Sequence, residues 1–175
     1  MNRVVVVGPP GSGKSTLAER VAARLGCEHV ELDGLWWEPG WQEAGTERYL
    51  ERLRPVATRD RWVVSGNYTS KGTSQVLWPR ADAIVWLDLP RRVTIPRILR
   101  RTASRVVRRT DLWGTGNRET LRQVLRSDSI LWFAWKVHPS YGERYAGTDD
   151  PRWVRLRSPR EVRRWLLTLP SHSDG

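Results

Sequence analysis

The 175-residue chain carries 30 Lys and Arg against 19 Asp and Glu, a formal net charge of +11, with a mean hydropathy of −0.57. That length suits one domain with its own core, and no apolar run approaches the roughly 20 residues that a membrane span needs. A single cysteine, Cys27, excludes an internal disulfide and a Cys-rich zinc site. The first residues read as a strand and not as a charged-then-apolar leader, so a reducing cytoplasm is the expected location.

Taken in order, Arg3 is followed by Val4, Val5, Val6 and Val7, a β-branched run suited to a strand buried on both faces. Gly8-Pro9-Pro10-Gly11-Ser12-Gly13-Lys14-Ser15 comes next and reads as the phosphate-binding P-loop, G-x-x-x-x-G-K-[ST]. Residues 15–25 read as a helix, with Leu17, Ala18, Val21, Ala22 and Leu25 at helical spacing and Gly26 at the C-cap. Residues 28–32 form a second expected strand ending at Asp33-Gly34, and residues 35–41 a loop rich in tryptophan. Thr46 is expected to cap a helix running to about Val56, striped by Tyr49, Leu50, Leu53 and Val56. Residues 62–65 make a third strand, followed by a polar turn over 66–72. Residues 83–87 make a fourth, closed by Asp88-Leu89-Pro90. A basic helix is expected over about 91–109, either starting near Thr94 or kinking at Pro96. Gly114 and Gly116 interrupt the pattern. Residues 119–137 are helical again, and His138-Pro139 and 142–151 form a loop. A fifth strand over 153–157 and a helix over 159–169, with Pro159 in its first turn, precede a frayed end at 171–175.

Strands alternating with helices predict an α/β fold with a parallel sheet and helices on both faces. Ligands of such sheets bind beyond the carboxyl ends of the strands. The P-loop, Asp33, the turn at 66–72 and Asp88 all fall there. The glycines let successive N–H groups point at phosphate oxygens, and the helix N-terminus adds a dipole that favours anions. Lys14 reaches the β- and γ-phosphates of ATP, and the Ser15 hydroxyl is the expected ligand for Mg²⁺. Charge is uneven along the chain. Residues 1–90 hold 11 basic and 11 acidic residues, whereas 91–164 hold 19 and 7, net +12. That excess suits an anionic partner, and 27 of the 30 cations are arginine, whose fork matches phosphate.

The chain resembles the adenylate-kinase-like small P-loop kinases and, among them, bacterial proteins labelled DNA topology modulation proteins. The residues that carry this are Gly8, Pro9, Pro10, Gly11, Ser12, Gly13, Lys14, Ser15 and Thr16; Glu31-Leu32-Asp33-Gly34-Leu35-Trp36-Trp37 with Pro39-Gly40-Trp41; Trp62-Val63-Val64-Ser65-Gly66-Asn67-Tyr68; and 83–90. The middle of 105–150 matches loosely, although Glu119-Thr120-Leu121-Arg122 resembles the family's second basic helix. The resemblance implies a P-loop NTPase fold over 1–175, with a five-stranded parallel sheet. Its core is about 1–90 and 151–169, and a basic helical lid occupies about 91–150. It implies ATP with Mg²⁺, lid arginines Arg97 and Arg101 on adenine and on the moving phosphoryl group, and adenine passing the backbone of Arg157 and Ser158. Asp33 then orients or deprotonates an acceptor hydroxyl, and Glu31 with Asp33 is similar to the paired acids of shikimate-kinase-like enzymes. Asp88 matches the Asp-x-Pro of adenylate kinases. Their third-strand aspartate is replaced by Ser65, which leaves Glu31, Asp33 or Asp88 to support the metal through water. Where nucleotide kinases carry arginines for the acceptor phosphate, this chain has Trp36, Trp37, Asn67 and Tyr68, which favours a hydroxyl on a ring-bearing substrate. Packing of the lid hinge by Trp36, Trp37 and Trp41 is the alternative.

The leading expectation is therefore an ATP- and Mg²⁺-dependent small-molecule kinase. A nucleic-acid-acting protein, either a polynucleotide 5′-hydroxyl kinase or a DNA-binding ATPase using the basic 91–164 segment, is the second. A nucleoside monophosphate kinase is a further alternative, and the lack of an Asn-Lys-x-Asp sequence speaks against a regulatory GTPase.

Overall fold

The computed structural model describes residues 1–120 and 130–170. Five parallel strands form its sheet: β1 (Arg3–Val7), β2 (His29–Glu31), β3 (Trp62–Ser65), β4 (Ala83–Leu87) and β5 (Trp153–Leu156). Their order across the sheet is β2-β3-β1-β4-β5. β1 lies in the centre, with Val5 opposite Val64 on one side and Ile84 on the other. Both its edges are paired and both its faces are covered, which is why a run of four valines stands there.

Alternate residues of each strand feed two cores. Val4 and Val6 pack with Leu17, Ala18 and Val21 of α1 (Lys14–Leu25), and with the apolar side of α7 (Pro159–Thr168). Val5 and Val7 face the other way, onto Leu53 and Tyr49 of α3 (Thr46–Ala57), Trp62, Trp86 and Tyr141. Gly26 ends α1 in the left-handed conformation, φ 62° and ψ 42°. Helices thus cover both faces of a parallel sheet, as the alternation of elements predicts.

Several local expectations give way to tertiary packing. β2 stops at Glu31, and Leu32–Trp36 is a short helix, α2. Leu32 and Trp36 are four residues apart and both buried in one core. A helix places both there, whereas an extended chain carried on from Glu31 would splay Leu32 and Asp33 to opposite sides. The tryptophan-rich loop is a tight hairpin. Trp37 and Glu38 pair antiparallel with Glu43 and Gln42 around Pro39-Gly40-Trp41, with Gly40 at φ 73° and Trp41 at φ 60°. Thr46 does not cap α3: Gly45 occupies the N-cap and no side chain bonds there. Residues 73–77, for which no element is expected, form α4 (Thr73–Leu77).

The basic helix α5 (Arg91–Arg108) begins at Arg91 and runs through Pro96. Pro96 is exposed, so the carbonyl that its ring leaves unbonded can turn to water. Helix α6 (Ile130–Tyr145) likewise continues through Pro139 and Gly142, where a loop is expected. Burial of Tyr141 and Tyr145, at 7% and 3% exposure, outweighs the propensity cost, with the Tyr145 ring 5.6 Å from Trp86 and 5.1 Å from Trp153. The expected helix over 119–137 and the frayed end at 171–175 lie partly and wholly outside the described residues. Among the described residues no helix is long and apolar enough to cross a membrane.

Candidate active site

The P-loop connects the end of β1 to the start of α1. Gly11 is required there twice over. Its φ is +74°, and a Cβ would run into the Thr94 carbonyl and come within 2.6 Å of Ile98 Cγ1. The base of α5 thus lies against the loop, and Arg97 Nη1 donates to the Ser12 carbonyl at 3.1 Å. Lys14 turns back on the loop, its Nζ donating to the carbonyls of Gly8 (2.9 Å) and Pro9 (3.1 Å). Burial pulls its ammonium down to about 8; Asp33 and Glu31 pull the other way and Arg101 adds to the fall. The Ser15 hydroxyl donates to Glu31 Oε1 at 2.6 Å, Ser12 Oγ is buried without a hydrogen-bond partner, and Thr16 is exposed.

Beyond β2 stands the acid side. Asp33 lies in the first turn of α2, two residues past the strand end. Tyr68, in the turn after β3, donates its hydroxyl to Asp33 Oδ1 at 2.6 Å. Burial pushes the Asp33 carboxyl above its ordinary range and the charge of Glu31 adds to this. The Tyr68 hydrogen bond and the charges of Lys14 and Arg101 oppose it. Asp33 is therefore a half-buried carboxylate within electrostatic reach of two cations, aimed by a phenol.

Arg97, Arg101 and Arg105 recur every fourth residue on α5. Arg101 feels the charges of Asp33 and Glu31, yet its Nε is buried without a hydrogen-bond partner; burial, with Arg105 beside it, lowers its guanidinium. Arg105 is paired with Glu119 at 2.9 Å. Arg100, Arg108 and Arg109 face solvent.

The acceptor-side residues stand differently from expectation. Trp36 is 3% exposed, with Tyr49 at 5.6 Å and Lys71 Nζ 4.6 Å above its ring. It is a core residue, because the helical turn of α2 points it inward. Asn67 is committed to the P-loop: Oδ1 accepts from the Gly8 N–H at 3.0 Å, and Nδ2 donates to the Gly8 carbonyl at 2.6 Å and to the Tyr141 hydroxyl at 3.0 Å. Tyr68 spends its proton on Asp33. Trp37 stays half-buried, edge-on to Trp41 at 5.8 Å. Asp88 is held by Arg155 at 2.7 Å and Ser65 by His29 at 2.8 Å, so both are spoken for. At the β5–α7 turn, Ser158 caps α7 by accepting from the Glu161 N–H, and the Arg157 N–H donates to the Glu161 carboxylate.

Two residues of the site escaped the sequence reading. Trp113 Nε1 donates to Glu31 Oε2 at 2.9 Å, and Asn117 joins the loop after α5 to the tryptophan hairpin, accepting from the Trp41 N–H and donating to the Glu38 carbonyl. A lone indole among turn formers, Trp113-Gly114-Thr115-Gly116-Asn117, was the available signal.

A P-loop after the central strand of a β2-β3-β1-β4-β5 parallel sheet defines a P-loop nucleotide-binding protein. The chain belongs to the AAA domain family (AAA_33), whose model matches residues 4–112. It is 29% identical to shikimate kinase of Nitratidesulfovibrio vulgaris over 155 residues, which is 81% of this chain and 87% of that protein. It is also 29% identical to cytidylate kinase of Ignicoccus hospitalis, over 78% of this chain and 79% of that one. Mouse threonine synthase-like 1 matches over 84% of this chain at 28% identity, but the chain spans only 21% of that protein's length. Among solved structures, a gluconokinase of Sinorhizobium meliloti aligns with a TM-score of 0.54 at 21% identity, covering 95% of this chain and 91% of that one. Shikimate kinase of Bacteroides thetaiotaomicron aligns at 0.57 and 18% identity, covering 95% and 94%. These two share its fold.

Among the described residues no group of three or more His, Cys, Asp or Glu could hold a metal ion. Ser15 Oγ with Glu31 is instead a pair of hard oxygens at the phosphate loop. That set fits Mg²⁺, which is bound through few protein oxygens together with substrate phosphates.

Proposed function

We propose that this protein is a kinase that transfers the γ-phosphoryl group of ATP to a hydroxyl of a small-molecule acceptor. The observation that carries the reading is the half-buried Asp33 carboxylate, aimed by Tyr68 and lying within electrostatic reach of Lys14 and Arg101. A hydroxyl acceptor needs a base; a phosphate acceptor, already ionised at neutral pH, does not. A carboxyl pushed upward by its surroundings suits proton abstraction near neutral pH. Asp33 takes the acceptor proton as the acceptor oxygen bonds to the γ-phosphorus and the bond to the ADP oxygen breaks. Lys14 leaves the Gly8 and Pro9 carbonyls for the β- and γ-phosphates, and Arg97 and Arg101 neutralise charge on the moving group. Gly8, Pro9, Pro10, Gly11, Ser12 and Gly13 supply the phosphate cradle, with Thr16 behind them, and the turn at Arg157 and Ser158 is the adenine side. Ser15, backed by Glu31, would hold Mg²⁺, which when bound offsets phosphate charge.

Relatives named for shikimate and for cytidylate mark the two acceptor classes. The α3 arginines favour the first. Arg48 and Arg52 are both paired with Glu38, at 3.1 and 2.7 Å, and Arg52 also donates to the Leu35 carbonyl, so both are directed to the hairpin side. One second reading has a specific support: Arg100 and Arg108 of α5 and Arg109 at its C-cap are exposed, which suits a nucleic-acid 5′-hydroxyl with the same Asp33 as base. The resemblance to DNA topology modulation proteins adds no acceptor. ATP consumption with hydroxylated metabolites, nucleoside monophosphates and oligonucleotides tests the reading. The expected result is turnover with a hydroxylated metabolite; turnover confined to nucleoside monophosphates contradicts it.

A further inference from the structure

The loop after α5, residues 110–117, has no part in the reaction proposed above, yet it is docked at several points. Leu112 and Asn117 bridge across its base, and the Gly116 N–H donates to Asp111 Oδ1 at 2.8 Å. Asn117, 3% exposed, ties it to the hairpin through the Trp41 N–H and the Glu38 carbonyl. Trp113 adopts φ 58°, a left-handed conformation rare for a bulky side chain. Its side chain lies against Gly34, where a Cβ would approach it to 3.2 Å, and its ring stands edge-on to Trp41 at 6.0 Å. What this placement achieves is the bond from Nε1 to Glu31 Oε2, at 2.9 Å. The other oxygen, Oε1, accepts from Ser15 Oγ. One carboxylate therefore joins the phosphate loop to a segment that lies 82 residues beyond Glu31 in the chain.

We propose that Trp113 is a positioning residue that fixes the Glu31 carboxylate behind Ser15, so that binding of metal-nucleotide and docking of the 110–117 loop favour each other. A neutral indole N–H restrains the carboxylate without cancelling its charge, as an arginine there would. The negative charge stays available to a cation at Ser15. Coupling of this kind is reciprocal: if the docked loop tightens the cation side, the bound cation tightens the loop. The inference rests on reading Ser15 and Glu31 as the cation side of a nucleotide site.

The test is calorimetric binding of a non-hydrolysable ATP analogue to the full chain, with magnesium and with EDTA. Trp113→Phe keeps a ring against Gly34 and Trp41 and removes the N–H. The expected result is that the gain in affinity given by magnesium falls about tenfold, while the affinity in EDTA is unchanged. Trp113→His, which restores a ring N–H, should recover part of the gain, and Trp113→Phe should cost nothing further in a Glu31→Gln background. An unchanged magnesium gain in Trp113→Phe overturns the proposal, as does an equal loss with and without magnesium, which marks a merely structural role. If circular dichroism shows Trp113→Phe unfolded, Asn117→Ala, which frees the same loop from Trp41, is read by the same two outcomes. A wild-type protein with no magnesium gain contradicts instead the nucleotide-site reading itself.

Discussion

In the reaction proposed, the phosphate side and the acceptor side of the site are assembled by different means. On the phosphate side, Lys14 bonds to carbonyls five and six residues away, and the loop's shape follows from glycines and a helix start. On the acceptor side, Tyr68 reaches Asp33 across 35 residues and Asn117 reaches Trp41 across 76, and the Glu31 carboxylate that backs Ser15 is itself held by Trp113 from 82 residues away. The first is backbone geometry that exists once one strand, loop and helix form. The second exists only when the β2, β3 and α5 ends have come together. Acceptor preference can therefore change by altering distant contacts, while the phosphate cradle stays the same. Asn67 crosses the boundary: it sits in the acceptor-side turn but holds both backbone groups of Gly8.

The largest effect expected from this contrast is at Lys14. Lys14→Ala should lower phosphoryl transfer by about a thousandfold, the scale of losing a preorganised charge at the reacting group, with the circular dichroism spectrum unchanged. Transfer at the wild-type rate would break the assignment of the phosphate side. Asn67→Ala should come next. Leaving the Gly8 N–H and carbonyl without their partner should weaken ATP binding by about tenfold, with the KM for acceptor unaffected. A rise confined to the acceptor KM would return Asn67 to the acceptor side. The smallest effect is a proton count. Burial holds the Lys14 ammonium at about 8 in the free protein, and bound phosphate favours its charged form, raising that value. ATP binding near pH 8 should therefore take up a fraction of a proton, seen as a binding enthalpy that varies with the ionisation enthalpy of the buffer. Release, or no uptake, would mean that Lys14 does not meet the phosphates.

Legibility followed the same division. The P-loop, the five strands and the basic helix could be read because each depends on neighbours within a turn or a pleat. Asp33 reads as the close of the second strand, whereas β2 stops at Glu31 and Asp33 is helical, since what bends the chain there is burial of Leu32 and Trp36 in a core built by other elements. Trp36 looked like a substrate platform only while its inward direction was unknown. Asn67 and Tyr68 read as free polar groups for the same reason: their partners, Gly8 and Asp33, are remote in sequence. Pro139 and Gly142 argued for a loop where Tyr141 and Tyr145 hold a helix. Trp113 carried no periodic signal, because its direction is fixed by a left-handed backbone and by Gly34.

The central claim is that Asp33 acts on an acceptor hydroxyl, and Asp33→Asn tests it most directly. The measurement pairs calorimetric ATP affinity with steady-state transfer to the acceptor that the wild-type protein uses. The amide keeps the shape and a hydrogen-bond acceptor for Tyr68 but cannot take the proton. The account predicts ATP affinity close to wild type and transfer reduced by roughly a hundredfold or more. Transfer at the wild-type rate by Asp33→Asn would contradict it.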